Sequence, residues 1–243
     1  MNSPNKWRLI PLLSDTGKRQ MAIDRWLLDQ HENHGHPPTL RFYTWSRASI
    51  SLGISQKRKK FPQRWQNLHY QGQPIDLIQR PTGGRGVLHQ GDLTYSLIMS
   101  SDLKKVEDVY CYLCQFLIRG WKKLGVDIKF GKPNRDYMKS PNCFALATNA
   151  DLVDSEGNKL IGSAQLKKGK YILQHGSMIL NPDPDLYQQV FRCSPPQPNI
   201  DRNLSLETIV GALTETASEV FNCQFINQPL SAKELEQIDR LNS

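Results

Sequence analysis

The sequence predicts an α+β fold, with a mixed and largely antiparallel sheet flanked by helices. Three observations predict it. Strand-like and helix-like segments follow one another without regular βαβ alternation. Two hairpin patterns stand in tandem between residues 150 and 180. Two amphipathic patterns, at 106–124 and 206–220, place apolar residues at three- and four-residue steps.

Taken in order, Gly17 to Gln30 reads as a helix anchored by Met21, Leu27 and Leu28. Short strand-like runs follow at Leu40–Trp45 and Ala48–Gly53. The basic stretch Lys57 to Lys60 precedes an apolar run around Ile75–Ile78, and a glycine-rich turn at 82–86 leads to a strand over Leu93–Met99. Val106, Val109, Tyr110, Leu113, Leu117, Trp121 and Leu124 line one face of a single helix of about five turns, with Cys114 beside the stripe. The first hairpin joins Ala150–Val153 to Leu160–Gln165, and the second turns at Lys167 to Lys170 and returns along Tyr171–Leu180. A proline-rich segment comes next. Leu206, Ile209, Val210, Leu213, Ala217 and Val220 then form a helical stripe, and Ser231 with Glu234 has capping-box spacing for a last helix over about 231–241. With no repeat of solenoid or propeller length, the expectation is a single domain over 1–243 with its core at about 10–225.

Composition narrows the function. The 243 residues carry 31 Lys and Arg against 23 Asp and Glu, a net charge of +8. Hydrophobic residues are only 38%, but five Trp, eight Tyr and eight Phe supply enough bulk for a packed core, which excludes a disordered chain. No apolar run approaches the ~20 residues of a membrane span, and the N-terminus is too polar for a secretory signal. Five cysteines in no framework spacing (111, 114, 143, 193 and 223) fit free thiols in a reducing cytoplasm. The Cys111-x-x-Cys114 pair has no second pair to complete a zinc site and reads as structural. The His31, His34, His36 group lies in a polar stretch with no metal-site pattern. Lys57 to Lys60 with Phe61 and Trp65 raises nucleic-acid binding, but the basic run is short and no binding module is recognisable.

Three segments carry chemistry. In Arg80-Pro81-Thr82-Gly83-Gly84-Arg85-Gly86-Val87-Leu88-His89, three glycines in four positions let backbone N–H groups approach an anionic or carbonyl ligand, between two fixed cations. It matches neither a Walker A loop nor the dinucleotide fingerprint, and a structural hairpin accounts for such a turn as well. In the second, Lys159 heads a strand whose Gly162-Ser163-Ala164 faces His175-Gly176-Ser177, so small residues leave room on the sheet. Spacing alone favours a surface lysine there. The third is Cys143 in Ser140-Pro141-Asn142-Cys143-Phe144, on a turn-rich segment where a nucleophile or a bystander thiol would fit.

Together with Gly17–Asp24, Leu40–Trp45 and Ser51-Leu52-Gly53, these segments resemble, in order and over about residues 10–225, the superfamily of lipoate–protein ligase A, octanoyltransferases and biotin ligases. The resemblance implies a class II synthetase-like catalytic sheet and an acyl tunnel between the glycine loop and the Lys159 strand. It implies that Lys159 orients the acyl carbonyl. Arg80, Thr82, Gly83, Gly84, Arg85, His89, Gly162, Ser163, Ala164, His175 and Gly176 would then bind the substrate. Cys143 matches the nucleophile position of the ligase-A-like octanoyltransferases, here as Asn-Cys-Phe. Thr82-Gly83-Gly84-Arg85 is closer to that branch than to the triple glycine of many ligases, and the chain leaves little room for their accessory C-terminal domain.

The chain departs from the branch after Phe144, where an expected Asp is missing, and at Gln90, where an acidic residue is common. Asn149-Ala150-Asp151 resembles the Asn-Asp of the ligases. The expected activity is therefore octanoyl transfer from acyl carrier protein, through a Cys143 thioester and without a cofactor, to a lipoyl domain such as glycine cleavage H protein or a 2-oxoacid dehydrogenase E2. The alternative is ATP- and Mg-dependent lipoate ligation, and the remote one a non-catalytic acyl- or carrier-binding protein. Acidic carriers would suit the positive charge. No metal site, nucleic acid or membrane partner is implied.

Overall fold

The computed structural model describes residues 5–54, 61–131 and 151–241. The chain enters through β1 (Asn5–Asp15) and α1 (Gly17–Asn33), then β2 (Thr39–Trp45), β3 (Ser49–Leu52), the β4–β5 hairpin (His69–Tyr70, Gln73–Pro74) and β6 (Asp76–Gln79). Next come β7 (Val87–His89), β8 (Asp92–Ser100), α2 (Val106–Leu113), α3 (Gln115–Lys123) and β9 (Lys129–Phe130). The last part holds β10 (Asp151–Val153), β11 (Lys159–Lys168), β12 (Tyr171–Ile179), α4 (Pro184–Phe191), α5 (Leu206–Phe221), β13 (Cys223–Asn227) and α6 (Ala232–Arg240).

One sheet runs β13-β1-β2-β8-β12-β11-β10-β9. Its β13–β1 and β1–β2 pairs are parallel and the others antiparallel. This is the mixed, largely antiparallel α+β architecture that the segment pattern predicts. A smaller sheet, β6-β3-β7, carries the glycine loop between its last two strands in sequence.

Strand alternation assigns the faces. Leu93, Tyr95, Leu97 and Met99 of β8 join the large core with Leu113, Phe116, Trp121 and Leu213 of α2, α3 and α5. On the other face Ile98 and Leu173 pack with Ile23, Trp26 and Leu27 of α1 and Ile238 of α6. Arg8 ties α6 to β1 by a two-pronged contact with Glu234, at 2.7 and 3.0 Å. Burial alone would raise the Glu234 carboxyl, but Arg8 and the Ser231 N–H bring it down to about 2. Glu234 also completes the expected capping box with Ser231.

One element has no counterpart in the sequence reading, and two differ from it. The N-terminal strand β1 is irregular: Ile10 pairs with Arg41 and Leu13 with Tyr43, so one extra residue bulges beside Pro11, beyond the reach of β13. The expected five-turn helix is two helices meeting at Cys114, whose carbonyl accepts from both Leu117 and Ile118 N–H at 3.1 Å. That tightened turn keeps Cys114 fully buried. The proline-rich segment contains α4, because Pro184 occupies its first turn and the Asp183 carboxylate caps Leu186 N–H at 2.8 Å.

The basic run at 57–60 lies outside the described residues. Trp65 beside it is buried, its indole N–H on Val190 O at 2.9 Å, so it belongs to the smaller core with Phe191 and Ile50. Among the described residues no helix is long and apolar enough to cross a membrane, and no group of three His, Cys, Asp or Glu is placed to hold a metal ion. His31 Nδ1 contacts His36 O at 2.6 Å, which makes that pair a local closure of the α1–β2 connection.

Candidate active site

The polar positions of two central strands make the floor. Thr94 and Ser96 of β8 stand opposite Ser177 and His175 of β12. All four are buried, so these polar side chains face a covered interior rather than solvent. A cavity of about 330 Å³ opens against this surface.

The cavity brings together most of the residues singled out in the sequence. Arg80, Gly83, Gly84 and His89 line it from the smaller sheet, and Gly162, Ser163, Ala164, His175 and Gly176 from β11 and β12. Thr82 and Arg85 do not reach the lining. Lys159 stands behind the wall, its ammonium 2.7 Å from Asp151 Oδ1, and it is Asp151 that faces the cavity. Cys143 lies outside the described residues.

The glycine loop is held by Arg80. Its guanidinium donates to Gly83 O at 2.8 and 3.1 Å, to Arg85 O at 2.7 Å and to Ser51 O at 3.0 Å. Arg80 therefore shapes the loop as well as lining the cavity. Gly53 closes the arrangement, because a Cβ there would sit 2.3 Å from Gly84 O and 2.6 Å from Gly83 C. Gly84 has φ +93°, a backbone that a β-branched residue adopts only under strain. Gly84→Val is accordingly expected to abolish acyl transfer by remaking this wall while the two sheets persist. A variant that melts with the wild type and still transfers acyl groups would remove the loop from the site.

Two buried Asp–His pairs flank the floor. In the first, Asp24 of α1 lies 2.9 Å from His175 Nδ1, and His175 Nε2 lies 2.6 Å from Thr82 Oγ1. Burial alone would raise the Asp24 carboxyl, but Arg41 and His175 hold it below its ordinary value. An ionised Asp24 only accepts, so Nδ1 carries the proton. In the second, Asp92 Oδ2 meets His89 Nδ1 at 2.9 Å, and His89 Nε2 meets Ser51 Oγ at 2.8 Å. Burial pushes the His89 imidazole below its ordinary range, against the pull of Asp92. The Trp45 indole stacks on His89 with centroids 3.8 Å apart.

On the opposite wall the Tyr95 hydroxyl donates to Ser163 Oγ at 2.8 Å and accepts from Gln174 at 2.9 Å. Val106 and Tyr110 of α2 complete an apolar side. A slot of this size, with apolar walls and a few fixed polar groups, suits a medium-length acyl chain ending in a polar carbonyl.

Sequence reasoning did not single out Asp24, Ser51, Asp92 or Asp151 as site residues. Asp24 and Ser51 sit within segments quoted for the family resemblance, and Asp151 within the Asn149-Ala150-Asp151 likeness. The sharper signal was unused: polar residues at alternate positions of two otherwise apolar strands mark a buried polar face.

Comparison with known proteins agrees with this geometry. The profile of the lipoyl protein ligase A/B catalytic domain matches residues 16–232. Octanoyltransferase LipM of Carboxydothermus hydrogenoformans is 34% identical over 95% of this chain and 92% of its own length. Octanoyltransferase LipM of Bacillus subtilis is 35% identical over 76% of this chain and 69% of its own. Among solved structures, a lipoate-ligase-type protein of Thermoplasma acidophilum with bound lipoic acid superposes with a TM-score of 0.76 at 22% identity, covering 97% of this chain and 94% of its own. A lipoate–protein ligase A bound with ATP gives 0.77 at 22% identity, covering 98% and 94%. These two likenesses establish the fold.

Proposed function

Since the chain belongs to the lipoyl protein ligase A/B catalytic domain family, we propose that it takes an octanoyl group from acyl carrier protein onto Cys143 and passes it to the lysine of a lipoyl domain. It is an acyltransferase of protein lipoylation, and one observation carries this: relatives named octanoyltransferase are 34 to 38% identical over most of the chain.

The reaction has two displacements. The Cys143 thiolate attacks the carrier's thioester carbonyl, a new C–S bond forms, and the carrier's C–S bond breaks with loss of its thiol. The acceptor amine then attacks the acyl-enzyme, a C–N bond forms, and Cys143 is released. From behind Asp151, with which it pairs at 2.7 Å, Lys159 favours the thiolate and, together with backbone N–H groups on the cavity, steadies negative charge on the carbonyl oxygen. The octanoyl chain lies in the cavity between the glycine loop and β11. The acceptor is a domain of the glycine cleavage H protein or dehydrogenase E2 type, and the net charge of +8 suits acidic carriers. This reading describes a single cytoplasmic catalytic domain that uses no ATP.

The test is an incubation of the enzyme with octanoyl carrier protein alone. An octanoyl mass on Cys143, released by hydroxylamine, is the expected result. Adduct-free enzyme that instead needs free acid and ATP and releases pyrophosphate would make it a ligase.

A further inference from the structure

A cavity that holds an acyl chain has to end it somewhere, and the pairing of the strands shows where. Asp151 of β10 pairs with Gly162 of β11, Gly162 with Ser177 of β12, Ser177 with Thr94 of β8, and Thr94 with Tyr43 of β2. All five line the cavity. The slot therefore crosses the strands along one register line, from the Lys159–Asp151 pair at one end to Tyr43 and α1 at the other. We propose that Met21 of α1 closes this line and sets the acyl chain at eight carbons, an inference that deepens the octanoyl reading above and rests on it.

The dimensions fit. Gly162 to Tyr43 is three strand spacings, about 14 Å at ~4.8 Å each. Seven C–C bonds join an octanoyl carbonyl to its methyl, and at ~1.3 Å of advance per bond the extended chain covers about 9 Å. With the carbonyl over Gly162 the methyl lies at Thr94, and the last spacing belongs to the side chains of Tyr43 and Met21. These two share a small apolar cluster with Ile78 and Trp45. Burial gives the direction: Met21 is 3% and Tyr43 0% exposed, whereas Val106 on the open side of the cavity is 50% exposed. The floor between the ends carries hydroxyls, but Ser177 and Thr94 both donate to Asp92 Oδ2, at 2.6 and 3.1 Å. A methylene chain passing over them leaves neither hydroxyl unpaired.

Met21 is the adjustable part of the closed end. The Tyr43 hydroxyl donates to Asp24 at 3.3 Å and the Trp45 indole to Thr94 at 2.9 Å, so both rings are tied by hydrogen bonds. Met21 is held by packing, and its thioether adapts to the chain end it meets. One turn before it on the same face, a Cβ on Gly17 would sit 2.9 Å from Ile78 and 3.0 Å from Trp45. The helix is thus seated directly on those two residues, and the side chain at position 21 decides the depth of the slot. Met21→Ala takes away three heavy atoms, which opens space for about two more methylenes.

The experiment gives hexanoyl, octanoyl and decanoyl carrier protein to the wild type, Met21→Ala and Met21→Phe. It reads kcat/KM for transfer to a lipoyl domain as a ratio within each protein, so that any loss of folded enzyme cancels. The wild type should favour octanoyl over decanoyl at least about tenfold, the effect of methylenes that an apolar pocket cannot take. In Met21→Ala decanoyl should equal or exceed octanoyl, and in Met21→Phe hexanoyl should overtake it. Unchanged ratios in both variants would place the chain end elsewhere and overturn the assignment, as would a wild type that uses octanoyl and decanoyl alike. If no carrier-bound chain is transferred while free acids with ATP are, the transferase reading falls. The three proteins are then compared with the free acids: the same shift keeps Met21 as the stop, and its absence removes it.

Discussion

Replacing Lys159 with methionine is expected to cost at least about a hundredfold in octanoyl transfer, the scale of removing one preorganised charge from a developing oxyanion. The structure adds a complication that the sequence did not show. Lys159 and Asp151 form an ion pair at 2.7 Å with side chains only 2% and 5% exposed. Removing one member of such a pair destabilises by about 3–5 kcal/mol, because the other charge stays buried without that partner. Lys159→Met alone would therefore lose stability and activity together. The double change Lys159→Met with Asp151→Asn separates them, since it takes away both charges. The double variant should recover much of the lost melting temperature and none of the lost turnover. Near-normal turnover in Lys159→Met would remove the lysine from the reaction. Recovery of activity along with stability would reduce it to a structural partner of Asp151.

The element pattern was legible where apolar spacing was unbroken. Leu93–Met99 landed at the centre of the sheet with the paired hairpins running from it toward one edge, and the Ser231–Glu234 spacing landed as a capping box. It was misleading where one residue type has two uses. Pro184 opens a helix within the segment read as proline-rich and irregular. The Val106–Leu124 stripe kept its buried face across the break at Cys114, so periodicity alone read it as one helix.

The site was legible as segments and not as a network. The glycine loop and the β11–β12 small residues meet in one cavity, as the family order implies. What joins them depends on contacts between residues far apart in sequence. His175 meets Asp24 across 151 positions and Thr82 across 93, and no local pattern encodes such pairings. Only the alternation of polar residues in β8 and β12 carries a local trace of them. Lys159 illustrates the same limit: its position at a strand end is local, and its burial against Asp151 is not.

Cys143→Ala is expected to eliminate the octanoyl adduct and lower transfer at least about a thousandfold, because the reaction loses its nucleophile altogether. Two of the four described cysteines are unsuited to the role by their surroundings. Burial pushes the Cys114 thiol up to about 12 and the Cys223 thiol up to about 11, so both stay protonated near pH 7 and neither supplies a thiolate. Cys111 is exposed on α2 and open to adventitious acylation. Cys111→Ala is therefore the control, and it should keep full activity and the full enzymatic adduct. The segment carrying Cys143 departs after Gly131 and returns at Asp151, where Gly131 N–H donates to Asp151 O at 2.8 Å and the Asp151 side chain faces the cavity. Mass spectrometry of each variant after exposure to octanoyl carrier protein, followed by transfer assays to a lipoyl domain, reads both effects. If Cys143→Ala keeps full ATP-driven transfer of lipoate, the thioester course is wrong and the cavity serves an acyl-adenylate instead.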